Sequence, residues 1–70
     1  MNNNHTPILE PLEKKLLELL SFGLTKEEAA EQMKVSKFTV DAYLRSAFEK
    51  LDVHTAVAAV AEAMRRGEME

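Results

Sequence analysis

Seventy residues with no cysteine, and nine Lys and Arg against twelve Asp and Glu for a net charge of −3, allow one small domain and exclude a disulfide framework or a thiolate metal site. Two histidines do not make a zinc set on their own, and no apolar run approaches the roughly 20 residues that span a bilayer. Two glycines, two prolines and few β-branched residues in a chain that is 46% hydrophobic favour an all-α fold.

A chain this short buries only roughly 60% of the surface its unfolded form exposes. Its expected stability is therefore a few kcal/mol. The opening Met1-Asn2-Asn3-Asn4-His5 is polar and uncharged, unlike a signal peptide, so the expected compartment is the cytoplasm, with no membrane partner. Residues 1–7 read as a flexible tail. The folded domain is expected over residues 8–70, starting at Ile8-Leu9.

The first helix is predicted from Pro11 to about Phe22, with Pro11 at the first helical position. Leu12, Leu16, Leu19 and Leu20 fall on one stripe, with Leu17 beside it. Glu13, Lys14 and Glu18 are expected on the outer face, with Lys14 and Glu18 paired across one turn. Gly23 suits a left-handed end.

The second helix begins at a capping box, Thr25-Lys26-Glu27-Glu28. It presents Ala29, Ala30 and Met33 inward and stops near Lys34-Val35. Ser36 caps the third helix. There Val40, Tyr43, Leu44, Ala47, Phe48 and Leu51 give the strongest helical period in the chain. Lys37, Phe38, Asp41, Ala42, Arg45 and Glu49 take the opposite face. After a break at Asp52-Val53-His54, Thr55 caps a fourth helix to about Arg66, ended by Gly67. Val57, Val60, Ala61 and Met64 are expected to pack on the core, with Ala59 and Ala63 to one side.

Two helices joined by a short turn, the second starting on a serine cap, form a helix-turn-helix pattern. In that arrangement the second helix of the pair lies in the DNA major groove. Gly23-Leu24-Thr25-Lys26-Glu27-Glu28-Ala29-Ala30, then Val35-Ser36-Lys37-Phe38-Thr39-Val40, then Lys50-Leu51-Asp52-Val53 resembles the LuxR/GerE-type DNA-binding domain. Leu9, Pro11, Glu13 and Leu17 fit its first helix. The resemblance implies a compact four-helix helix-turn-helix domain, here in a free-standing form. It also implies sequence-specific DNA binding by the third helix and dimerisation through the fourth.

Departures from that pattern concern charge. The family's usual lysine after Thr-Val is Asp41, its usual lysine in the second helix is Glu27, and a position often basic is Glu49. Its usual His and Arg are Tyr43 and Ala56. Acids at such positions remove phosphate contacts and add repulsion. Residues 34–50 nevertheless carry four basic against two acidic residues, a net of +2. A carboxylate can also accept from cytosine N4.

The expected function is that of a small bacterial transcription regulator binding double-stranded DNA weakly. Lys37, Thr39, Asp41, Ala42 and Arg45 are expected nearest the DNA, with Lys26 and Lys50 on phosphates. A homodimer or partner surface is expected at Phe38, Ala56, Ala59, Val60 and Ala63. The alternative is an anti-activator that has lost most DNA contact and pairs with a related regulator.

Plainer readings stand beside these. Lys37, Arg45 and Lys50 also fit a solvated helix face, Thr39 a cap, Val40 the core, and Phe38 a contact with the second helix. The alanines of the fourth helix fit simple helix propensity. His5 and His54 carry no ligand pattern, Glu27, Glu28 and Glu31 are explained by capping and exposure, and the methionines show no cofactor pattern. Neither an enzyme nor a cofactor is expected.

Overall fold

Local chemistry sets where each helix starts. Pro11 opens α1 (Pro11–Ser21), and Thr25, Ser36 and Thr55 cap α2 (Lys26–Met33), α3 (Lys37–Leu51) and α4 (Ala56–Arg65). Thr25 Oγ1 accepts from the Glu28 N–H at 3.1 Å, and Glu28 Oε1 accepts from the Thr25 N–H at 2.8 Å, which completes the capping box. Ser36 and Thr55 each accept a backbone N–H at 3.1 Å in the same way. The computed structural model describes residues 8–69. The tail expected over 1–7, His5 and residue 70 lie outside the described residues. No strand occurs among the described residues.

All four helices end alike. Gly23, Lys34, Asp52 and Gly67 take left-handed φ values of 95°, 60°, 58° and 74°. The next N–H then turns back into the last helical turn: Leu24 to Leu19, Val35 to Ala30, Val53 to Phe48 and Glu68 to Ala63. Gly23 and Gly67 are the ends the sequence marks. Lys34 and Asp52 adopt a conformation that is strained for a side-chain-bearing residue.

α1 and α3 each pack against the other three helices. The core joins Leu9, Leu16, Leu17 and Leu19 to Ala29 and Ala30, to Val40, Leu44, Ala47 and Leu51, and to Ala59 and Ala63. Three sequence expectations are corrected here. Leu12, expected in the inner stripe of α1, is exposed, whereas Glu13, expected outside, is buried. Glu13 takes the inner place because its carboxylate has partners there: the Glu10 N–H at 2.8 Å and Lys50 Nζ at 2.8 Å. Glu18 pairs with Lys15 at 3.5 Å, while Lys14 lies 3.9 Å from Glu68.

The third correction turns α4 around. Ala59 and Ala63 are completely buried, while Val57, Ala61 and Met64 face outward. The small side chains let α4 approach α1 and α3 closely, which leaves its larger residues outside. Ala59 and Ala63 therefore belong to the core and not to a partner surface. At the ends of the domain, Glu68 accepts from the Ile8 N–H at 3.1 Å and the Leu9 N–H at 3.3 Å. This carboxylate clasps the entry to α1 against the segment after α4.

Candidate nucleic-acid interface

The α2–turn–α3 unit is close-packed because α2 offers only alanines, Ala29 and Ala30, at its buried contact. The apolar side of α3 is anchored by Val40, Leu44, Ala47 and Leu51. Its other side is thereby fixed outward. Lys37, Phe38, Ala42 and Arg45 are exposed, and Asp41 and Thr39 are half-buried. Val40 is core. Phe38 does not fold back on α2; it stands 87% exposed, as bare an apolar side chain as this domain carries.

Charge on this face is organised in pairs that bridge the two helices. Lys26 Nζ donates to Asp41 Oδ1 at 3.1 Å. Lys37 Nζ lies 3.1 Å from Glu27 Oε2. The Glu27 carboxyl is held below its ordinary value, first by its own backbone N–H and then by the Lys37 ammonium. The hydrogen bond to Glu27 in turn raises Lys37. Both pairs are well exposed to water, so each contributes little to stability and can be exchanged for another anion. Arg45 and Lys34 make no ion pair among the described residues.

Lys50 departs from its expected place on a phosphate. Its ammonium is directed to the buried Glu13 carboxylate. Burial pushes that carboxyl up, but hydrogen bonds from Lys50, Ser46 and the Glu10 backbone outweigh it, and Glu13 ends below its ordinary value. Thr39 donates its N–H to Ser36 Oγ, and its hydroxyl lies 3.1 Å from the same atom, so it serves the helix cap.

Beside α3 runs an open groove whose walls carry Lys26, Asp41, Arg45, Glu49 and His54 over an apolar floor of Leu44 and Phe48. Among the described residues no group of three His, Cys, Asp or Glu could hold a metal, and no helix is long and apolar enough to cross a membrane. A second surface is apolar. Phe22 is 73% exposed, Val57 82% and Met64 47%. With Leu20, Ala56 and Val60 they line an apolar groove between the end of α1 and α4. Of the partner residues expected from sequence, Ala56 and Val60 lie here. Val57 and Met64 join them because Ala59 and Ala63 take the core side of α4, and Phe22 is added from the end of α1, where no periodic signal marks it.

Three comparisons bear on this arrangement. The profile of the family described as "Bacterial regulatory proteins, luxR family" matches residues 8–63. The chain is 36% identical over 64 residues to spore germination protein GerE of Bacillus subtilis, covering 91% of this chain and 86% of GerE. It is 42% identical over 62 residues to the HTH-type transcriptional activator RamA of Corynebacterium glutamicum, covering 89% of this chain but only 22% of RamA. The solved structure of the transcription factor GerE superposes with a TM-score of 0.83 at 27% identity, covering 89% of this chain and 92% of that one.

Proposed function

This chain belongs to the LuxR family of bacterial regulatory proteins, and from that premise we propose how it acts. It is a DNA-binding transcriptional regulator whose α3 enters the major groove. The observation that carries this reading is the outward face of α3: Ala42 and Arg45 stand clear of the core on a helix-turn-helix frame shared with GerE. Arg45, which makes no ion pair among the described residues, is placed to read a base. Lys37 engages a phosphate by leaving Glu27, and Lys26 engages one with its remaining donors while it still holds Asp41. Affinity is weak for one copy, because the acids paired with both lysines offset their positive charge.

Two copies then act together. The apolar strip of Phe22, Val57, Val60 and Met64 supports homodimerisation through α4, with the end of α1 taking part. A two-fold pair presents its two α3 helices to successive half-sites. The working compartment is the cytoplasm, where the DNA is.

The test is a titration of fluorescent random-sequence duplex with the full chain at about 50 mM and about 200 mM salt. Steep weakening with salt is the expected result. No binding at high micromolar protein in low salt would sink the reading.

A second reading is favoured by one observation. Two lysines of the interface are already paired with acids, next to the bare ring of Phe38. Under it the α2–α3 face binds a related regulator in place of DNA, as an anti-activator. Asp41→Lys separates the two: it strengthens binding to random DNA under the first reading, and leaves partner binding unimproved or weaker under the second.

A further inference from the structure

We infer that Asp41 is a base-reading residue selective for cytosine. One of its oxygens is held by Lys26, and the other accepts a hydrogen bond from a cytosine N4 amino group in the major groove. This deepens the major-groove reading above and rests on it.

An acid on a DNA-facing helix is ordinarily a defect, because phosphates repel it. Here the repulsion is removed locally. Lys26 Nζ lies 3.1 Å from Oδ1 of Asp41, so the lysine offsets the charge of the acid and orients its carboxylate. Among the described residues no hydrogen bond engages Oδ2, and the residue is only half-buried. Asp41 lies in the N-terminal part of α3, one turn before the exposed Arg45 and beside the exposed Ala42. That is the part of a recognition helix that reaches base edges.

The chemistry selects one base. A carboxylate only accepts hydrogen bonds. Cytosine N4 is a donor at the major-groove edge, while guanine offers acceptors at N7 and O6 and thymine offers O4. Adenine also carries a donor at N6, but its N7 acceptor beside it repels a second carboxylate oxygen and matches an amide instead. Glu49, further along α3, has no lysine against it among the described residues, so the same neutralisation does not apply there.

The experiment is a selection of duplexes from a random pool by the full chain, run with wild type, Asp41→Asn and Asp41→Ala, each checked for helix content by circular dichroism. Wild type is expected to enrich cytosine at one position of each half-site by roughly tenfold. Asp41→Asn is expected to enrich adenine at that position, because an amide pairs with adenine N6 and N7. Asp41→Ala is expected to lose preference there and nowhere else. Lys26→Met removes the group that neutralises and orients the carboxylate: it is expected to lower affinity for all sequences and to reduce the cytosine preference at that one position. If both Asp41 variants keep the wild-type preference at every position and alter overall affinity alone, the carboxylate is only the ion partner of Lys26 and the inference is overturned. If wild type binds no duplex at all, the major-groove reading itself falls, and this inference with it.

Discussion

Lys50 Nζ donates to Glu13 Oε1 at 2.8 Å, joining the end of α3 to the first turn of α1. A lysine that the helix-turn-helix register places on DNA is thus committed to a buried carboxylate. The same carboxylate accepts the Glu10 N–H, so it caps α1 and pins α3 at once.

Removing either partner should therefore cost stability. Glu13→Ala leaves the Glu10 N–H and Lys50 without their acceptor and opens a gap in the inner face of α1. Lys50 is partly solvated, so the loss falls below that of a fully buried pair, at about 2 kcal/mol. Lys50→Met keeps the apolar stem and leaves the carboxylate one donor short, at about 1 kcal/mol. Against a total of a few kcal/mol, either loss is visible as a lower urea midpoint at neutral pH. An unchanged midpoint in Lys50→Met would return Lys50 to the list of phosphate contacts.

The same carboxylate sets an acid limit. Its native value lies below the ordinary 4.5, so the folded state binds this proton less readily than the unfolded chain. The stability it contributes is fully present above the unfolded value and is lost as pH falls through the native one. Unfolding followed by circular dichroism should show stability declining between about pH 5 and about pH 3. Glu13→Gln should be less stable than wild type at neutral pH and should decline less over that interval. Parallel acid curves for the two proteins would place the acid sensitivity elsewhere.

These relationships divide into what a sequence can carry and what it cannot. Thr25, Ser36 and Thr55 mark helix starts because a cap is satisfied within its own first turn. Gly23 and Gly67 mark ends because glycine takes a left-handed φ without strain. Lys34 and Asp52 take the same conformation, yet only loss of the apolar period betrays them. In α4, residues 56, 59, 60 and 63 satisfy a helical stripe as well as 57, 60, 61 and 64 do. The choice between them depends on how closely α1 and α3 approach, which no local pattern contains. The basic residues of the interface are visible in the sequence at the start of α2 and on the outer face of α3. Their ion partners are not, because Lys26–Asp41 and Lys37–Glu27 each bridge two helices.

The cross-helix pairs make a prediction about salt. Lys37 and Glu27 are both largely exposed, so separating them leaves stability nearly unchanged. Glu27→Gln releases Lys37 to phosphate without a competing acid. Binding to random duplex should strengthen at low salt for all sequences alike, and the dependence of log K on log salt should steepen by about one unit. The check is a pair of salt titrations beside a urea curve. A slope equal to that of wild type would mean that Lys37 does not reach the backbone.

The outward strip of α4 predicts an assembly that two single substitutions can separate from folding. Val57 is 82% exposed in the first turn of α4, so Val57→Asp disturbs no core contact, and an acid there suits the positive end of the helix. The fold should hold to within about 0.5 kcal/mol, while a charge in the apolar strip opposes pairing. Sedimentation should show wild type as a dimer and Val57→Asp as a monomer. The variant should bind a single half-site like wild type and lose the added affinity for a two-fold repeat. Ala59→Leu provides the contrast. Ala59 is completely buried, and overpacking there costs about 1–3 kcal/mol, so that variant should lose thermal stability whatever its state of association. A wild-type chain that remains monomeric at high micromolar concentration, or a Val57→Asp variant that still sediments as a dimer, would remove this strip from the interface.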